Sequence, residues 1–312
     1  RTKTLLIARK SQDVSDLYHE INNNPRYGTH VVEWVDLSVK ISGEEIMNHV
    51  RSQKVSHIVA DFADPGVNEL MPTLYKLIFS GVEFDDVQTL YEEVFDRVPL
   101  SLVNDTWFLE NVSSTTKTTF DALKRLADIV ASAVVGVISL IFYPFVYLAI
   151  KLDDGGSLFV TQERIGKNNK IIKIRKFRSM TRNDQGNYSD AAAKSNRVTR
   201  TGSLLRKTRI DELPQLWNVF VGDVSLIGPR PELPALVVSY EGEIAYYNAR
   251  HIVKPGLSGW AQIYGEHAHH GVGTAETENK LSYDLYYVKN RSIYLEFKIA
   301  LQTLKVLLSF VG

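Results

Sequence analysis

The 312-residue sequence contains no cysteine. Disulfides, thiolate metal sites and a cysteine nucleophile are therefore excluded. The sequence also has no net charge at pH 7, because 36 Lys and Arg are balanced by 36 Asp and Glu. A general nucleic-acid-binding protein carries a basic surplus, so we expect no nucleic acid partner.

Glycine is missing from the turn after the first predicted strand. Residues 4–8, 30–37 and 55–62 are apolar and β-branched, and the segments between them have helical spacing. This alternation predicts a parallel α/β module of the Rossmann-like type over residues 1–115. Its first turn reads RKSQD, whereas dinucleotide binding needs a glycine-rich turn there. A structural or regulatory module is the better interpretation.

Long uncharged runs are rare in this chain, and one stands out. Residues 129–150 are 22 residues without a charge. At 1.5 Å per residue they reach about 33 Å, enough to cross a bilayer core. The flanks on both sides are basic, which places both ends on one side of the membrane. The flanking cations are Lys117, Lys124 and Arg125 before the run, and Lys151, Arg164, Lys167 and Lys170 after it.

Pro144 interrupts this run, removes a backbone donor and favours a kink. We therefore predict a re-entrant membrane helix over residues 129–150, with Tyr143 and Pro144 at the break. A helix that crosses the membrane completely and a buried core helix are the alternatives. A Ser/Thr-rich stretch, residues 113–119, places the domain boundary near residue 115, with a second domain over 116–312.

Although the net charge of the chain is zero, one region of it is strongly basic. Residues 161–210 contain 14 Lys and Arg against three Asp and Glu, which favours contact with phosphates or anionic headgroups. Within it, KIIKIRKFRSM predicts a half-buried strand with Lys173, Arg175 and Arg178 on a cationic face. These cations either touch anionic lipid only or also hold substrate phosphates.

Two adjacent carboxylates, Asp211 and Glu212, end the basic region. Pro214 and the apolar spacing after it predict a helix that begins near them, and acidic residues are favoured there. Neighbouring residues on a helix diverge by about 100°, so one carboxylate could attack while the other holds a metal. N-capping alone is the simpler explanation. Farther on, two prolines bracket Arg230 in GPRP, which stiffens the backbone around a phosphate-binding guanidinium.

Taken in order, these segments resemble the bacterial sugar transferase family, the monotopic phosphoglycosyl transferases. The resemblance runs from about residue 120 to the C-terminus. Its motifs are DGGSLFVTQERIG (154–166), KFRSM (176–180), TGSLLRKTRIDELPQLWNVFVGDVSLIGPRPE (201–232), KPGLSGWAQ (254–262) and KLSYDLYYVKN (280–290). Residues 1–110 resemble the cytoplasmic module of larger members, which carry transmembrane helices ahead of it. Because the sequence also begins without Met, we expect a fragment.

The resemblance implies an enzyme with a mainly helical α+β catalytic domain. Such enzymes transfer sugar-1-phosphate from a UDP-sugar to undecaprenyl phosphate and release UMP, as the first membrane step of exopolysaccharide, O-antigen, capsule or glycoprotein glycan synthesis. Asp211 would be the nucleophile that forms a covalent phosphosugar, and Glu212 its partner in metal binding or acid–base assistance. Mg²⁺ is the expected metal, with Mn²⁺ as an alternative. The expected phosphate ligands are Arg175, Arg178, Arg206, Arg209 and Arg230.

The resemblance also places the chain in the bacterial inner membrane, among lipids, with its soluble parts facing the cytoplasm. A homodimer through the α/β module is a further expectation. Many family members have Ser before the break proline, but here the residue is Tyr143. The histidines of HAHH, His267 and His270, are interpreted as a loop that recognises sugar or nucleotide.

Two other functions compete with this one. A membrane-bound scaffold would use its basic face only to dock on anionic lipid. An ordinary glycosyltransferase would move the sugar without its phosphate and release UDP. No segment of the sequence identifies the sugar.

Overall fold

The computed structural model describes residues 1–112, 118–181, 197–265 and 273–308. The chain divides into two compact units, Arg1–Leu109 and Glu110–Gly312. The boundary predicted near residue 115 lies outside the described residues and stays a prediction.

The N-terminal unit is a parallel α/β fold. Its strands are β1 (Thr2–Ile7), β2 (Thr29–Val35), β3 (His57–Ala60) and β4 (Glu83–Asp86), in the order β2-β1-β3-β4 with every pair parallel. The helices are α1 (Gln12–Asn23), α2 (Gly43–Gln53), α3 (Pro65–Asn68), α4 (Met71–Ile78), α5 (Val87–Phe95) and α6 (Asp105–Asn111). The predicted strands and the two helices between them are confirmed, with ends that differ by one to two residues.

The sheet is buried on both faces, which explains the unbroken apolar run of β1. Leu5 and Ile7 pack in one core cluster with residues of α2 and α4. Leu6 packs in the other cluster with residues of α1 and α5. The turn after β1 closes without glycine, because the Ser11 hydroxyl accepts a hydrogen bond from the Val14 N–H and caps α1.

The C-terminal unit mixes helices with short two-stranded sheets. Strands β5 (Phe159–Ile165) and β6 (Ile171–Phe177) are antiparallel, as are β7 (Met180–Thr181) and β8 (Arg197–Val198), whereas β9 (Ser225–Ile227) and β10 (Gly256–Ser258) are parallel. The helices are α7 (Thr118–Ser139), α8 (Tyr143–Asp153), α9 (Arg200–Lys207), α10 (Gln215–Val221), α11 (Pro234–Glu243), α12 (Trp260–Tyr264), α13 (Thr274–Asn290) and α14 (Ile293–Leu308).

The predicted apolar run lies in a helical segment, Thr118–Asp153, that is long and apolar enough to cross a membrane. Only 17% of its most apolar window is buried, which argues against a buried core helix. The geometry changes at residues 140–142, which form a 3-10 turn between α7 and α8. Pro144 lies in the first turn of α8, where a missing N–H is tolerated.

The start of α7 is tied into the C-terminal unit. The Arg125 guanidinium donates to the carbonyls of Val219 and Phe220, each at 2.7 Å, at the end of α10. One turn later, the buried Asp128 carboxylate accepts from the Leu226 N–H at 3.0 Å. These bonds fix the direction in which α7 leaves the unit.

The end of α8 is tied to the same unit. The Asp153 carboxylate accepts from the Thr201 N–H at 2.7 Å, at the start of α9. Arg178, after β6, pairs with Asp154 at 3.1 Å. Val146 and Ile150 of α8 are buried in a core cluster with residues of β6 and α9. Both ends of the apolar segment are therefore anchored in one unit.

Candidate active site

The carboxylate pair lies in a 3-10 turn, Ile210–Glu212, and not in the following helix. Arg209 starts this turn in the left-handed region, at φ 57°. The α-helix predicted near the pair begins at Gln215, after Pro214. Asp211 and Glu212 are neighbours in this turn, but their carboxylates have different surroundings.

Glu212 is held by two cations. Its Oε1 lies 3.2 Å from an Arg230 guanidinium nitrogen and 3.7 Å from the Lys176 ammonium. Burial alone would raise the pKa of Glu212, but the charges of Arg230, Lys176 and Arg209 outweigh burial and lower that pKa to about 2. Glu212 is therefore a fixed anion that is already neutralised by its neighbours.

Asp211 is in the opposite condition. Burial, followed by the charge of Glu212, raises its pKa to about 6, although Lys176, Arg206 and Arg209 act against this. Only 9% of the residue is exposed, and its buried Oδ1 has no hydrogen-bond partner among the described residues. A buried carboxylate oxygen without a partner is suited to attack or to bind a cation.

Lys176 of β6 is a site residue that the prediction missed. Burial lowers its pKa to about 8, and the charge of Glu212 partly offsets this shift. The signal was present in the sequence. Side chains alternate along a strand, so Lys176 shares a face with Ile172 and Ile174, and Ile174 is fully buried. A lysine on the buried face of a strand indicates a buried anion.

Arg230 is positioned by its backbone. The carbonyl of Arg230 accepts from Arg250 Nη2 at 3.0 Å, and the carbonyl of Pro229 accepts from the Gly256 N–H at 2.9 Å. Arg250 is itself buried against Asp284, at 2.7 Å. The bracketing prolines and these bonds hold the guanidinium towards Glu212.

A small cavity adjoins the pair and is basic. The described residues that line it include three cations, Arg164, Lys176 and Arg230, and no carboxylate. Arg164 is buried and donates to Gln162 Oε1 at 3.0 Å. The remaining lining residues are Ile174, Gln215, Pro231, Gly256 and Leu257. The three cations favour an anionic group here, such as the oxygen of a phosphate.

The other four predicted phosphate ligands do not all lie beside the carboxylate pair. The exposed Arg206 and Arg209 act on the charge of Asp211. Arg178 instead pairs with Asp154 and packs its guanidinium against Gly156. The Arg175 side chain is exposed on β6, and the backbone N–H of Arg175 donates to Asn218 Oδ1 at 3.2 Å. The structure thus brings Arg206, Arg209 and Arg230 to the pair, and holds Arg178 at the end of α8.

The predicted membrane residues lie where the apolar segment bends. Tyr143 begins α8, and its ring packs against Phe177 with centroids 4.8 Å apart and against Phe159 at 6.0 Å. Tyr143 therefore attaches the bend to the strand that carries Lys176. Pro144 follows it and is exposed.

A divalent metal would have two protein ligands here. Among the described residues no group of three or more His, Asp or Glu side chains forms a metal site. The unpartnered Oδ1 of Asp211, beside Glu212, nevertheless fits Mg²⁺, which commonly binds one or two carboxylates plus substrate phosphates. His267 and His270 lie outside the described residues.

Comparison with known proteins adds the family. Residues 119–310, more than half of the chain, match the family described as Bacterial sugar transferase. The chain belongs to the bacterial sugar transferase family. The match contains the carboxylate pair, Lys176 and the Arg230 loop, and it leaves the N-terminal unit outside.

Several curated relatives match about three fifths of the chain. A UDP-N-acetylgalactosamine-undecaprenyl-phosphate N-acetylgalactosaminephosphotransferase of Aeromonas hydrophila is 42% identical over 61% of this chain and 44% of that protein. A UDP-glucose:undecaprenyl-phosphate glucose-1-phosphate transferase of Escherichia coli (strain K12) is 39% identical over 58% of this chain and 39% of that protein. The exopolysaccharide production protein PSS of Rhizobium leguminosarum bv. phaseoli is 39% identical over 58% of this chain and 92% of that protein. The chain thus spans less than half of the first two relatives.

Proposed function

We propose that this chain transfers sugar-1-phosphate from a UDP-sugar to undecaprenyl phosphate and releases UMP, as an early membrane step of exopolysaccharide or related glycan synthesis. One observation carries the proposal. The pKa values of the two adjacent carboxylates are shifted in opposite directions. The pKa of Asp211 is raised to about 6, and its Oδ1 has no partner among the described residues. The pKa of Glu212 is lowered to about 2 by the cations that pair with it. The names of the Aeromonas and Escherichia coli relatives supply the classes of donor and acceptor.

The proposed chemistry uses Asp211 twice. An oxygen of the ionised carboxylate attacks the sugar-bearing phosphorus, and the bond to the bridging oxygen breaks so that UMP leaves with the electron pair. The product is an acyl phosphate, a mixed anhydride in which the Asp211 carboxyl carries the phosphosugar. An oxygen of undecaprenyl phosphate then attacks the same phosphorus, and the Asp211 carboxylate leaves unchanged. Lys176 and Arg230 hold phosphate oxygens and stabilise the charge that develops on them.

Glu212 has a supporting role in this proposal. Its pairs with Arg230 and Lys176 keep both cations directed at the cavity while no substrate is bound. Asp211 and Glu212 would hold Mg²⁺, which neutralises the charge of a diphosphate and so lets it approach two carboxylates.

The membrane arrangement we propose is a re-entrant hairpin at the cytoplasmic face of the inner membrane. Its support is that the start of α7 and the end of α8 are anchored in the same unit, through Arg125, Asp128 and Asp153. α14 also leaves a helical stripe of apolar side chains exposed, which suits an interfacial helix. These side chains are Ile293, Tyr294, Phe297, Leu301 and Leu304.

The N-terminal unit is proposed to be a Rossmann-like structural or regulatory module that forms a homodimer. The parallel order β2-β1-β3-β4 supports the fold. The turn after β1 presents Arg9, which pairs with Asp64, in place of a glycine-rich phosphate loop. The transfer reaction is therefore assigned to the C-terminal unit alone.

Product analysis tests the reaction. The purified protein in nanodiscs, with Mg²⁺ and undecaprenyl phosphate, is given a panel of UDP-sugars, and the released nucleotide is identified by chromatography. We expect UMP with one sugar, in equal amount to the lipid-linked product. Release of UDP would indicate ordinary glycosyl transfer. No release by a protein that is shown to be folded would favour the scaffold.

The pH dependence of kcat/KM is a second expected result, because it reports the groups of the free enzyme. Asp211 must be ionised, so kcat/KM should rise as the pH increases through about 6. Lys176 must be charged to hold phosphate, so kcat/KM should fall as the pH increases through about 8. Lys176→Arg should keep the acid limb and remove the alkaline limb, since arginine stays charged.

Lys170→Arg is the matched control for this profile. Lys170 is exposed in the turn between β5 and β6, so this variant should keep both limbs. A flat parent profile between about pH 5 and 9, or an alkaline limb that survives in Lys176→Arg, would contradict the assignments.

A further inference from the structure

Two cations meet at the end of α10 opposite the carboxylates. Gly222 ends this helix with φ at 99°. A β-carbon placed on Gly222 would lie 3.1 Å from the Arg125 Cζ and 3.3 Å from the Lys254 Nζ. Both cationic groups therefore pack against the same glycine, outside the proposed active site.

The two cations differ in their partners. Arg125 already donates to the carbonyls of Val219 and Phe220. The half-buried Lys254 has no hydrogen bond or ion pair within 4 Å among the described residues. Burial, and next the charge of Arg125, lower the pKa of Lys254, while Asp128 and Asp223 favour its charged form from farther away. An ammonium in this position lacks an anion in contact with it.

The surroundings indicate what that anion is. Arg125 precedes the uncharged run by one helical turn, and Leu126 and Val130 beside it are exposed. Trp217 and Phe220 of α10 are also exposed and stack on each other, with centroids 5.8 Å apart. Cations and aromatic side chains at the end of an apolar helix are typical of the headgroup level of a membrane.

We propose that Lys254 and Arg125 bind the phosphate of an anionic phospholipid headgroup. This inference rests on the membrane insertion proposed above. It assigns the site to a structural lipid and not to the acceptor, because the seven residues of α10 lie between the carboxylate turn and Gly222 and extend about 10 Å. An attacking phosphate must come within about 3–3.5 Å of the reacting atom.

Lipid retention tests the site. The parent protein is reconstituted in nanodiscs of equimolar phosphatidylglycerol and phosphatidylcholine, and the lipids that stay bound are counted by native mass spectrometry. We expect the parent to retain phosphatidylglycerol preferentially, and Lys254→Gln to lower that preference about fivefold. Lys254→Arg should preserve it, and so should Lys170→Gln, which removes the same charge from an exposed position.

Three outcomes would overturn the proposal. The first is equal preference in the parent and in Lys254→Gln. The second is displacement of phosphatidylglycerol by added undecaprenyl phosphate, one for one, which would make this an acceptor site. The third is a parent that does not float with vesicles of the same lipids, which would also overturn the membrane insertion. The same samples are also assayed for UMP release. Lys254→Gln should still release UMP in phosphatidylcholine alone, so a loss of lipid preference can be told apart from failure of the proposed reaction.

Discussion

Asp211→Asn should reduce UMP release by about 1,000-fold or more and at the same time stabilise the fold. Asparagine has the shape of aspartate but cannot act as a carboxylate nucleophile. UMP release with the preferred UDP-sugar, measured for parent and variant, checks the loss. A variant that keeps its activity would exclude Asp211 as the nucleophile.

The gain in stability follows from linkage. The folded protein raises the pKa of Asp211 from 3.8 to about 6, so the folded state binds this proton more tightly than the unfolded state does. Stability from this group therefore falls as the pH rises from about 4 to about 6, and the full cost remains above that. At 1.36 kcal/mol per pKa unit the cost is about 2–3 kcal/mol, and the neutral asparagine avoids it.

Thermal unfolding at two pH values checks this second effect. Asp211→Asn should raise the Tm at pH values well above 6, and the gain should shrink towards pH 4. Glu241→Gln, which changes an exposed carboxylate on α11 in the same unit, should alter neither the Tm nor UMP release. An inactive Asp211→Asn that unfolds more easily than the parent at high pH would contradict the electrostatic explanation.

Single cysteines in the apolar segment should all be reached from one side of the membrane. The chain has no cysteine of its own, so Ala122→Cys and Leu152→Cys each provide a unique thiol at an exposed position near one end of the segment. Both should react with an impermeant maleimide in inverted vesicles and stay unreacted in right-side-out vesicles. Ile141→Cys, at the bend, should be protected in both.

The opposite pattern would have a clear meaning. Labelling of the two end positions from opposite sides would show a helix that crosses the membrane completely. The unmodified parent is the blank for this experiment, because it offers no thiol to the reagent. Detergent extraction should make all three positions reactive, which confirms that each cysteine is present and accessible.

The N-terminal fold was predictable because its signals are local. Alternating short strands and helices predicted β1 to β3 with α1 and α2, and the structure confirms them. The sheet order comes from contacts distant in sequence, such as the pairing of β3 with β4. The 3-10 turn at Ile210–Glu212 was also missed, because the sequence pattern after Pro214 predicts only a helix near the pair.

The candidate site was predictable in part. The pair itself and Arg230 follow from the motifs, and the structure brings Arg230 to Glu212 across 18 residues. Arg178, which is predicted as a phosphate ligand, pairs with Asp154 in the structure, a partner that local periodicity does not reveal. Lys176 was not among the predicted site residues, although it lies two residues after the buried Ile174, which places both side chains on the same face of β6.

The anchoring of both ends of the apolar segment has a consequence for encounter rates. Arg125 at one end and Asp153 at the other tie this segment to the rest of the C-terminal unit. In the membrane arrangement proposed above, the carboxylates therefore stay at a fixed height above the bilayer. An acceptor confined to the same leaflet then reaches the site by lateral diffusion, a search in two dimensions. Under the proposed function, turnover would then depend on the number of acceptor molecules per unit area of membrane, whereas the soluble donor would arrive from the volume of the cytoplasm.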